Sequence, residues 1–502
     1  MYFRIGRLSS MLGYNPAMPN VPTRRRVLAL AAGAAASTVL RPSRATAAPA
    51  ADFIRVSPRD PRYFETTAGR PYIPIGLNIV SPPYVPSKSP EDRLAALDTW
   101  LSKLSQNGGN HIRVWISNDF YNPERDKAGD YNEDQVKHID AMLAMAAKHN
   151  IRVKMTIEHF REIDPANPRK TWALNTLHHT SRGGLANSMK DWLTSPAARQ
   201  QFVRKLEFLA SRYRDNPTIY GWELWNEMNA ITGGGDYLAW TAAMLPELHR
   251  LFPHHLCMQS LGSYDSDRAR EPYRKLAAMP GNDVAQVHRY LDPGAKLPVC
   301  QAPVDVLASD AVREILATKP GKATMLAESG AVERSHSGPS KLYTRDTAGI
   351  ILHDVLFAPF FSGAAGSGQC WHWDHYVDKN DLWWHFSRFA AVVKDLDPPA
   401  ESFEPITIDH PALRVYALKG RRTLLVWCRD KSNTWQTELA DGTPPQTLHG
   451  LTLDLSPHLP RAGGLSTYDP WSDRWSKAME TLGQISLPDF QRSVVVKLTT
   501  PQ

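Results

Sequence analysis

Two glutamates, each closing an apolar run, are the residues with which this sequence could break a covalent bond. Thr218-Ile219-Tyr220-Gly221-Trp222-Glu223-Leu224-Trp225 stops abruptly at Asn226-Glu227, and Ala323-Thr324-Met325-Leu326-Ala327 stops at Glu328-Ser329-Gly330. A buried strand has this pattern where it delivers polar groups to the mouth of a barrel. Two facing carboxyl groups are what cleavage of a glycosidic bond requires: one protonates the departing oxygen, and the other stabilises or attacks the anomeric carbon. A separation of about 5–5.5 Å predicts retention through a covalent intermediate, and about 6.5–9.5 Å predicts inversion. A lone loop glutamate is usually an ordinary solvated carboxylate, so the pairing carries the reading. Glu158, Glu223 and Glu333 are the rival carboxylates, with Glu223 the natural control.

Identical groups can divide acid and nucleophile roles only if their surroundings separate their pKa values. Glu227, flanked by Trp222 and Trp225, is expected to stay protonated in an apolar setting under charge repulsion. Glu328 is expected to stay ionised beside Arg113 and the hydroxyl of Tyr290.

The elements that must position these groups alternate. Strand-like runs begin at Tyr72 to Asn78, His111 to Ile116, Arg152 to His159 and Ile219 to Trp225, and continue at Leu256 to Ser260, Val284 to His288 and Thr324 to Ala327. An eighth is expected at Ala364 to Trp371, after a helix from about Leu342 to Phe357. Helical spacing fills the intervals, as in Leu94, Leu97, Leu101 and Leu104. The expected fold class is α/β: a (β/α)8 TIM barrel with a small C-terminal β-sandwich. An open doubly wound sheet is the other candidate, but no glycine-rich phosphate fingerprint follows the first strand. Residues 397–502 carry short β-rich runs and read as the accessory sandwich, in the first place a structural brace. A loop of about 30 residues, from Phe160 to Lys190, is longer than ordinary connections and reads as functional.

The charge balance argues against a nucleic-acid partner. Residues 1–47 hold seven arginines and no Lys, Asp or Glu, leaving 51 basic against 51 acidic residues in the remainder. That neutral balance suits an uncharged substrate such as a sugar. Thr23-Arg24-Arg25-Arg26-Val27-Leu28-Ala29, a weakly apolar run and Ala45-Thr46-Ala47 read as a twin-arginine-type signal peptide over 1–47. The protein is therefore expected to be exported, to the periplasm or beyond the cell, with no membrane partner after signal removal. The barrel, with an N-terminal lead-in segment, would then occupy 48–396. Cys257, Cys300, Cys370 and Cys428 fit no metal-ligand spacing and read as buried thiols, so no metal site is expected.

In order along the chain, Asn78, Arg113, His159, Asn226-Glu227, His288-Arg289-Tyr290, Glu328 and Trp371-His372-Trp373 follow successive strand positions. In this order the chain resembles the clan A glycoside hydrolases, and most closely family 5, the cellulase- and mannanase-like enzymes, over residues 70–396. The resemblance implies a retaining hydrolase of β-linked mannan- or glucan-like glycans, needing no cofactor. It implies Glu227 as acid/base, Glu328 as nucleophile, and Asn226 as a hydrogen-bond partner of the sugar 2-hydroxyl. It further implies that His288 and Tyr290 line the cleaved-bond subsite and that Trp371 or Trp373 forms its stacking floor. Met228 departs from the pattern, since many relatives have proline there. Exo-acting hydrolysis or transglycosylation of short oligosaccharides, and a non-catalytic carbohydrate-binding barrel, are the competing expectations. Tyr84, Trp172, Trp240, Tyr264, Tyr376, Trp383 and Trp384 are further aromatic candidates for sugar stacking.

Overall fold

The computed structural model describes residues 52–83, 88–167, 171–458 and 464–500. The expected leader at 1–47 and Tyr84 lie outside the described residues. The site rests on seven parallel strands: β1 (Gly76–Asn78), β2 (His111–Trp115), β3 (Arg152–Glu158), β4 (Ile219–Trp225), β5 (Leu256–Met258), β6 (Val284–His288) and β7 (Ala323–Glu328). The first five pair in chain order, and β6 pairs with β7. Every residue of β2, β4, β6 and β7 is buried. Burial on both faces is why these strands read as continuous apolar runs rather than as an alternation.

Two other joints complete the ring. Between β5 and β6, Asp283 N donates to Cys257 O at 2.9 Å, and the Asp283 carboxylate accepts from Cys257 N at 2.7 Å. Between β7 and β1 runs an extended segment, residues 364–371. It donates from Ala365 N to Thr324 O and from Gln369 N to Leu326 O, and it accepts from Asn78 N at Cys370 O. This segment stands where an eighth strand is expected, but its only ladder positions are isolated bridges at Cys370. Glycines cause the difference: a Cβ on Gly366 would lie 2.5 Å from Pro74 O, and one on Gly368 would lie 2.2 Å from Val355 O. Close backbone approach replaces the regular ladder there.

Helices cover the ring in sequence: Pro90–Gln106, Glu133–Lys148, Pro196–Tyr213, Tyr237–Leu251, Arg270–Ala278, Val304–Ala317, Ile350–Phe361 and Trp384–Val393. Ser89, Asn132 and Ser195 cap three of them through side-chain oxygens, twice ahead of a proline in the first turn. These are the local signals that start a helix. The helix expected over 342–357 starts later, at Ile350. The Asp346 carboxylate accepts from Ile350 N at 2.7 Å and Ile351 N at 2.9 Å, and Gly349 takes a left-handed φ of 78°.

All twelve residues of Ile350–Phe361 are buried. A helix apolar all round must be covered on every side. The cover is a six-stranded antiparallel sheet formed by residues beyond 403. Its Trp427 lies 5.6 Å from Phe357 and 6.0 Å from Phe361, and Arg429 pairs with Asp354 at 2.8 Å. The opposite face of that sheet packs Val426, Cys428 and Val496 with Leu453 and Ile485 of a three-stranded sheet. Residues 51–502 form one compact unit. At the other end of the ring, the antiparallel strands Ile54–Val56, Phe64–Thr66 and Pro71–Tyr72 cover the strand N-termini, with Phe64 edge-on to Tyr220 at 5.4 Å.

Candidate active site

Arg113, wholly buried on β2, organises the mouth of the ring. Its Nη1 donates to Glu328 Oε1 and to Asn78 Oδ1, its Nη2 to Glu223 Oε1 and Asn226 Oδ1, and its Nε to Thr156 Oγ1. One guanidinium thus ties together residues from β1, β2, β3, β4 and β7. Burial alone would depress its charge, but the Glu223 and Glu328 carboxylates raise its pKa further above the ordinary arginine range. Beneath it, Glu223 also meets Lys154 at 3.2 Å, Gln286 at 3.0 Å and Ser260 at 3.0 Å, and is completely enclosed. Despite burial, Arg113 and Lys154 hold Glu223 down to about 2. The expected rival carboxylate is therefore a structural anion.

Glu328 closes β7, where a register shift separates it from Leu326. Besides Arg113 it accepts from the Tyr290 hydroxyl at 2.8 Å. Glu227 lies just beyond β4 in left-handed backbone, with φ 50°. Such a conformation is uncommon outside glycine and clusters at functional sites. It is secured by Glu227 N donating to Ser260 Oγ at 3.1 Å and by Met228 N donating to Ser260 O at 3.3 Å. Proline at 228 would remove the second donor. His288 Nδ1 lies 3.0 Å from Glu227 Oε1 and 3.4 Å from Glu328 Oε2. One oxygen of each carboxylate and a ring nitrogen of His288 fall within 4.8 Å of one another.

The surroundings of Glu227 differ from the apolar setting expected. Trp222 packs against Phe252, and Trp225 packs against Trp192 and Trp240 and against Phe160 in the loop after β3, so both indoles face away from the cavity. Arg161 instead donates from Nη2 to Glu227 Oε2 at 2.5 Å. Burial pushes the Glu227 carboxyl up, but the hydrogen bond and charge of His288 and the charge of Arg161 outweigh it and bring the pKa down to about 2.

Glu227, Glu328, Asn226, Tyr290, Trp371 and Trp373 line a common cavity of about 710 Å³. Trp371 is partly exposed beside Trp115 at 5.0 Å, and Trp373 stands edge-on to it at 5.8 Å. Asn78, Arg113 and His288 lie wholly buried beneath this lining. His159 is the expected site residue that does not join it. Its Nδ1 bonds Ser117 Oγ at 2.7 Å, its ring stacks on Trp115 at 4.8 Å, and it faces a neighbouring cavity.

Arg161, Trp115 and His336 also line the cavity that Glu227 and Glu328 share, though nothing in the sequence marked them for it. The one local sign for Arg161 is its place three residues after the end of β3. Glu227, His288 and Glu328 form a donor set of the kind that holds a divalent ion. Each carboxylate already faces a guanidinium, however, so the protein itself supplies the balancing charge. All four cysteines are buried and free.

No protein-family model matches the chain. Among characterised sequences it is similar to mannan endo-1,4-beta-mannosidase 7 of Arabidopsis thaliana, at 26% identity over 248 residues, 45% of this chain and 56% of that protein. The chain spans about half the length of the curated relatives it matches first. Among solved structures, a glycoside hydrolase aligns with a TM-score of 0.57 at 15% identity, over 89% of this chain and 97% of that one. A family 5 glycoside hydrolase from Bacteroides vulgatus ATCC 8482 aligns with a TM-score of 0.54 at 16% identity, over 89% and 93%. At these identities the structural likeness is one of fold.

Proposed function

We propose that this chain is a retaining glycoside hydrolase acting on neutral β-linked glycans, β-mannan foremost, with Glu227 as acid/base and Glu328 as nucleophile. The observation that carries this reading is the pair of carboxylates facing each other across His288, with oxygens within 4.8 Å. Such closeness lets both carboxyl groups reach one glycosidic bond, as the two-carboxylate mechanism requires. The name of the Arabidopsis relative supports mannan as the first substrate to try.

In the first step a Glu328 oxygen bonds to the anomeric carbon as the glycosidic C–O bond breaks. The departing oxygen keeps the electron pair and takes the Glu227 proton. In the second step Glu227, now ionised, takes a proton from water. That water attacks the anomeric carbon and returns Glu328 as carboxylate. Arg113 and Tyr290 hold Glu328 aimed before the first step. Asn226 gives its oxygen to Arg113, which leaves its amide N–H groups for the sugar 2-hydroxyl. Glu227 can donate a proton only after its pairing with Arg161 loosens, which assigns that step to substrate arrival.

The test is hydrolysis of mannan, β-glucan, xylan and galactan, followed by azide rescue on an activated aryl β-glycoside. Glu328→Ala with azide should yield the α-glycosyl azide, and Glu227→Ala the β-glycosyl azide. Wild-type-like hydrolysis by either variant would refute the assignment. Export belongs to the same proposal, and a reporter fused behind residues 1–47 that stays in the cytoplasm would remove it.

A further inference from the structure

Among the described residues, four trios of side chains bring three metal-binding atoms within 4.8 Å of one another. In two of them a cation of the protein already sits. Lys205 pairs with Glu124 and Glu158 of one, and Arg113 and Arg161 face Glu328 and Glu227 of another. Asp265 and His336 of a third line the catalytic cavity. The fourth, His249, Cys257 and Asp283, combines an imidazole, a thiol and a carboxylate where β5 and β6 begin, away from the catalytic mouth.

Three elements supply this fourth set. His249 lies in the last turn of the helix Tyr237–Leu251, Cys257 is the middle residue of β5, and Asp283 directly precedes β6. They meet at the seam where no ladder joins β5 to β6, a place closed by the hydrogen bonds between Asp283 and Cys257. The side-chain bond uses Asp283 Oδ2, which also lies 3.5 Å from His249 Nε2. The other cation near Asp283, Lys322, directs its ammonium to Asn282 O at 2.6 Å and Met279 O at 3.2 Å, not to the carboxylate. The Cys257 thiol is wholly enclosed, and its hydrogen-bond contact is a long one, 3.7 Å to His255 O two residues back. A buried thiol without a side-chain partner thus faces the group from inside. The imidazole and carboxylate, 36% and 23% exposed, leave a way in from solvent.

We propose that His249, Cys257 and Asp283 bind a transition-metal ion of the zinc class, with water as the fourth ligand, and that the ion staples the seam between β5 and β6. Thiolate and imidazole together select zinc or cobalt over calcium and magnesium, which take oxygen ligands. The thiol gives its proton to water as the sulfur–metal bond forms. Two anionic ligands and a neutral imidazole then cancel the charge of a divalent ion, so the seam buries no net charge. Zinc holds thiolate sulfur at about 2.3 Å and imidazole nitrogen at about 2.0–2.1 Å, distances reached by a short inward swing of the two partly exposed side chains. No close spacing along the chain announces the set, which is why the cysteines read from sequence only as buried thiols. The ion serves stability rather than the reaction, and its site is independent of the hydrolase reading.

The test is titration of the full-length protein, freed of metal with a chelator, with cobalt(II) and then with zinc. One cobalt per chain should produce the near-ultraviolet charge-transfer band of a thiolate–cobalt bond. Zinc should displace it and raise the melting temperature by about 2 °C or more. Cys257→Ser should lose the band. His249→Ala should weaken cobalt binding by about tenfold or more, the scale of losing even an outer contact of a metal site. His249 is partly exposed, so its variant should fold even where replacement of the enclosed thiol does not. Cobalt binding without a thiolate band, a band that survives in Cys257→Ser, or a zinc shift that survives in His249→Ala overturns the proposal.

Discussion

Arg161 donates from Nη2 to Glu227 Oε2 at 2.5 Å, placing a permanent positive charge against the carboxyl group assigned to give up a proton. The groups facing Glu227 are Arg161, His288, His336, Glu328 and Tyr290. Of these, Arg161 is a direct hydrogen-bond donor to Glu227 that makes no hydrogen bond to Glu328. With its pKa held near 2, Glu227 is protonated in only a small fraction of free molecules at pH 5. The alkaline limb of kcat/KM reports that free-enzyme acid. Arg161→Met should move the limb up by about one pH unit or more. The check is a pH profile on an oligosaccharide, whose poor leaving group needs the proton; an unmoved limb would show that Arg161 does not tune Glu227.

Three glutamates sit around this mouth, Glu223 and Glu328 buried and Glu227 partly exposed, and their partners separate them. Glu223 meets Arg113, Lys154, Gln286 and Ser260 and has no exposed surface, whereas Glu227 and Glu328 line the cavity. Glu227→Gln and Glu328→Gln should each reduce hydrolysis by about a thousandfold or more, the scale of losing one member of a catalytic pair. Glu223→Gln should act on folding instead, lowering stability by about 1–3 kcal/mol as a charge-assisted contact is lost. Turnover by the folded fraction should stay within about a hundredfold of wild type. Initial rates normalised to folded protein by circular dichroism would decide it, and equal losses in all three variants would contradict the division.

What was legible in the sequence was what burial dictates. β2 and β4 read as strands because every one of their residues is enclosed, and the polar break at Asn226-Glu227 falls where enclosure ends. The segment 364–371 was misread as a regular strand because its place is secured by glycines lying against Pro74 and Val355, a close approach with no periodicity. Arg161 carries no sign beyond its place shortly after β3. It lies in a loop, and its partner, 66 residues further on, is met only through the tertiary fold. His159 was placed by its order among strand ends, and strand order does not say which of two adjoining cavities a ring will face.

The C-terminal sheets carry a load that a separable domain would not. Ile350–Phe361 is buried on all sides, and Trp427, Tyr416 and Val495 belong to the same core cluster as its phenylalanines. Ending the chain near residue 397 would uncover that helix and strand Asp354 without Arg429. Exposing such an apolar surface costs several kcal/mol. The truncated protein is expected to be insoluble. Recovery of a soluble, active 48–396 fragment with a cooperative thermal transition would show that the sheets are dispensable.

The loops that wall the neighbouring cavity, which His159 faces, are tied to the barrel by a buried charge cluster. Lys205, on helix Pro196–Tyr213, meets Glu158 at 2.5 Å and Glu124 at 2.8 Å. His178 and Tyr131 are the other titratable groups facing Glu158 and Glu124. Burial, reinforced by the Glu124 charge, raises Glu158 to about 7 although Lys205 opposes it. Burial holds His178 near 4, so its imidazole stays neutral at neutral pH. A carboxyl group raised on folding binds its proton more tightly in the folded state. Its stabilising contribution is complete below the ordinary value of 4.5 and is lost as pH rises through about 7. Glu124 shifts the opposite way, so its contribution falls off only toward acid. Wild-type stability should therefore decline between about pH 5 and 8 by roughly 1–3 kcal/mol from this group. Glu158→Gln, which keeps the shape and removes the titration, should flatten the decline. Melting temperatures of both proteins across that range provide the measurement, and parallel curves would mean that Glu158 does not set the pH response of these loops.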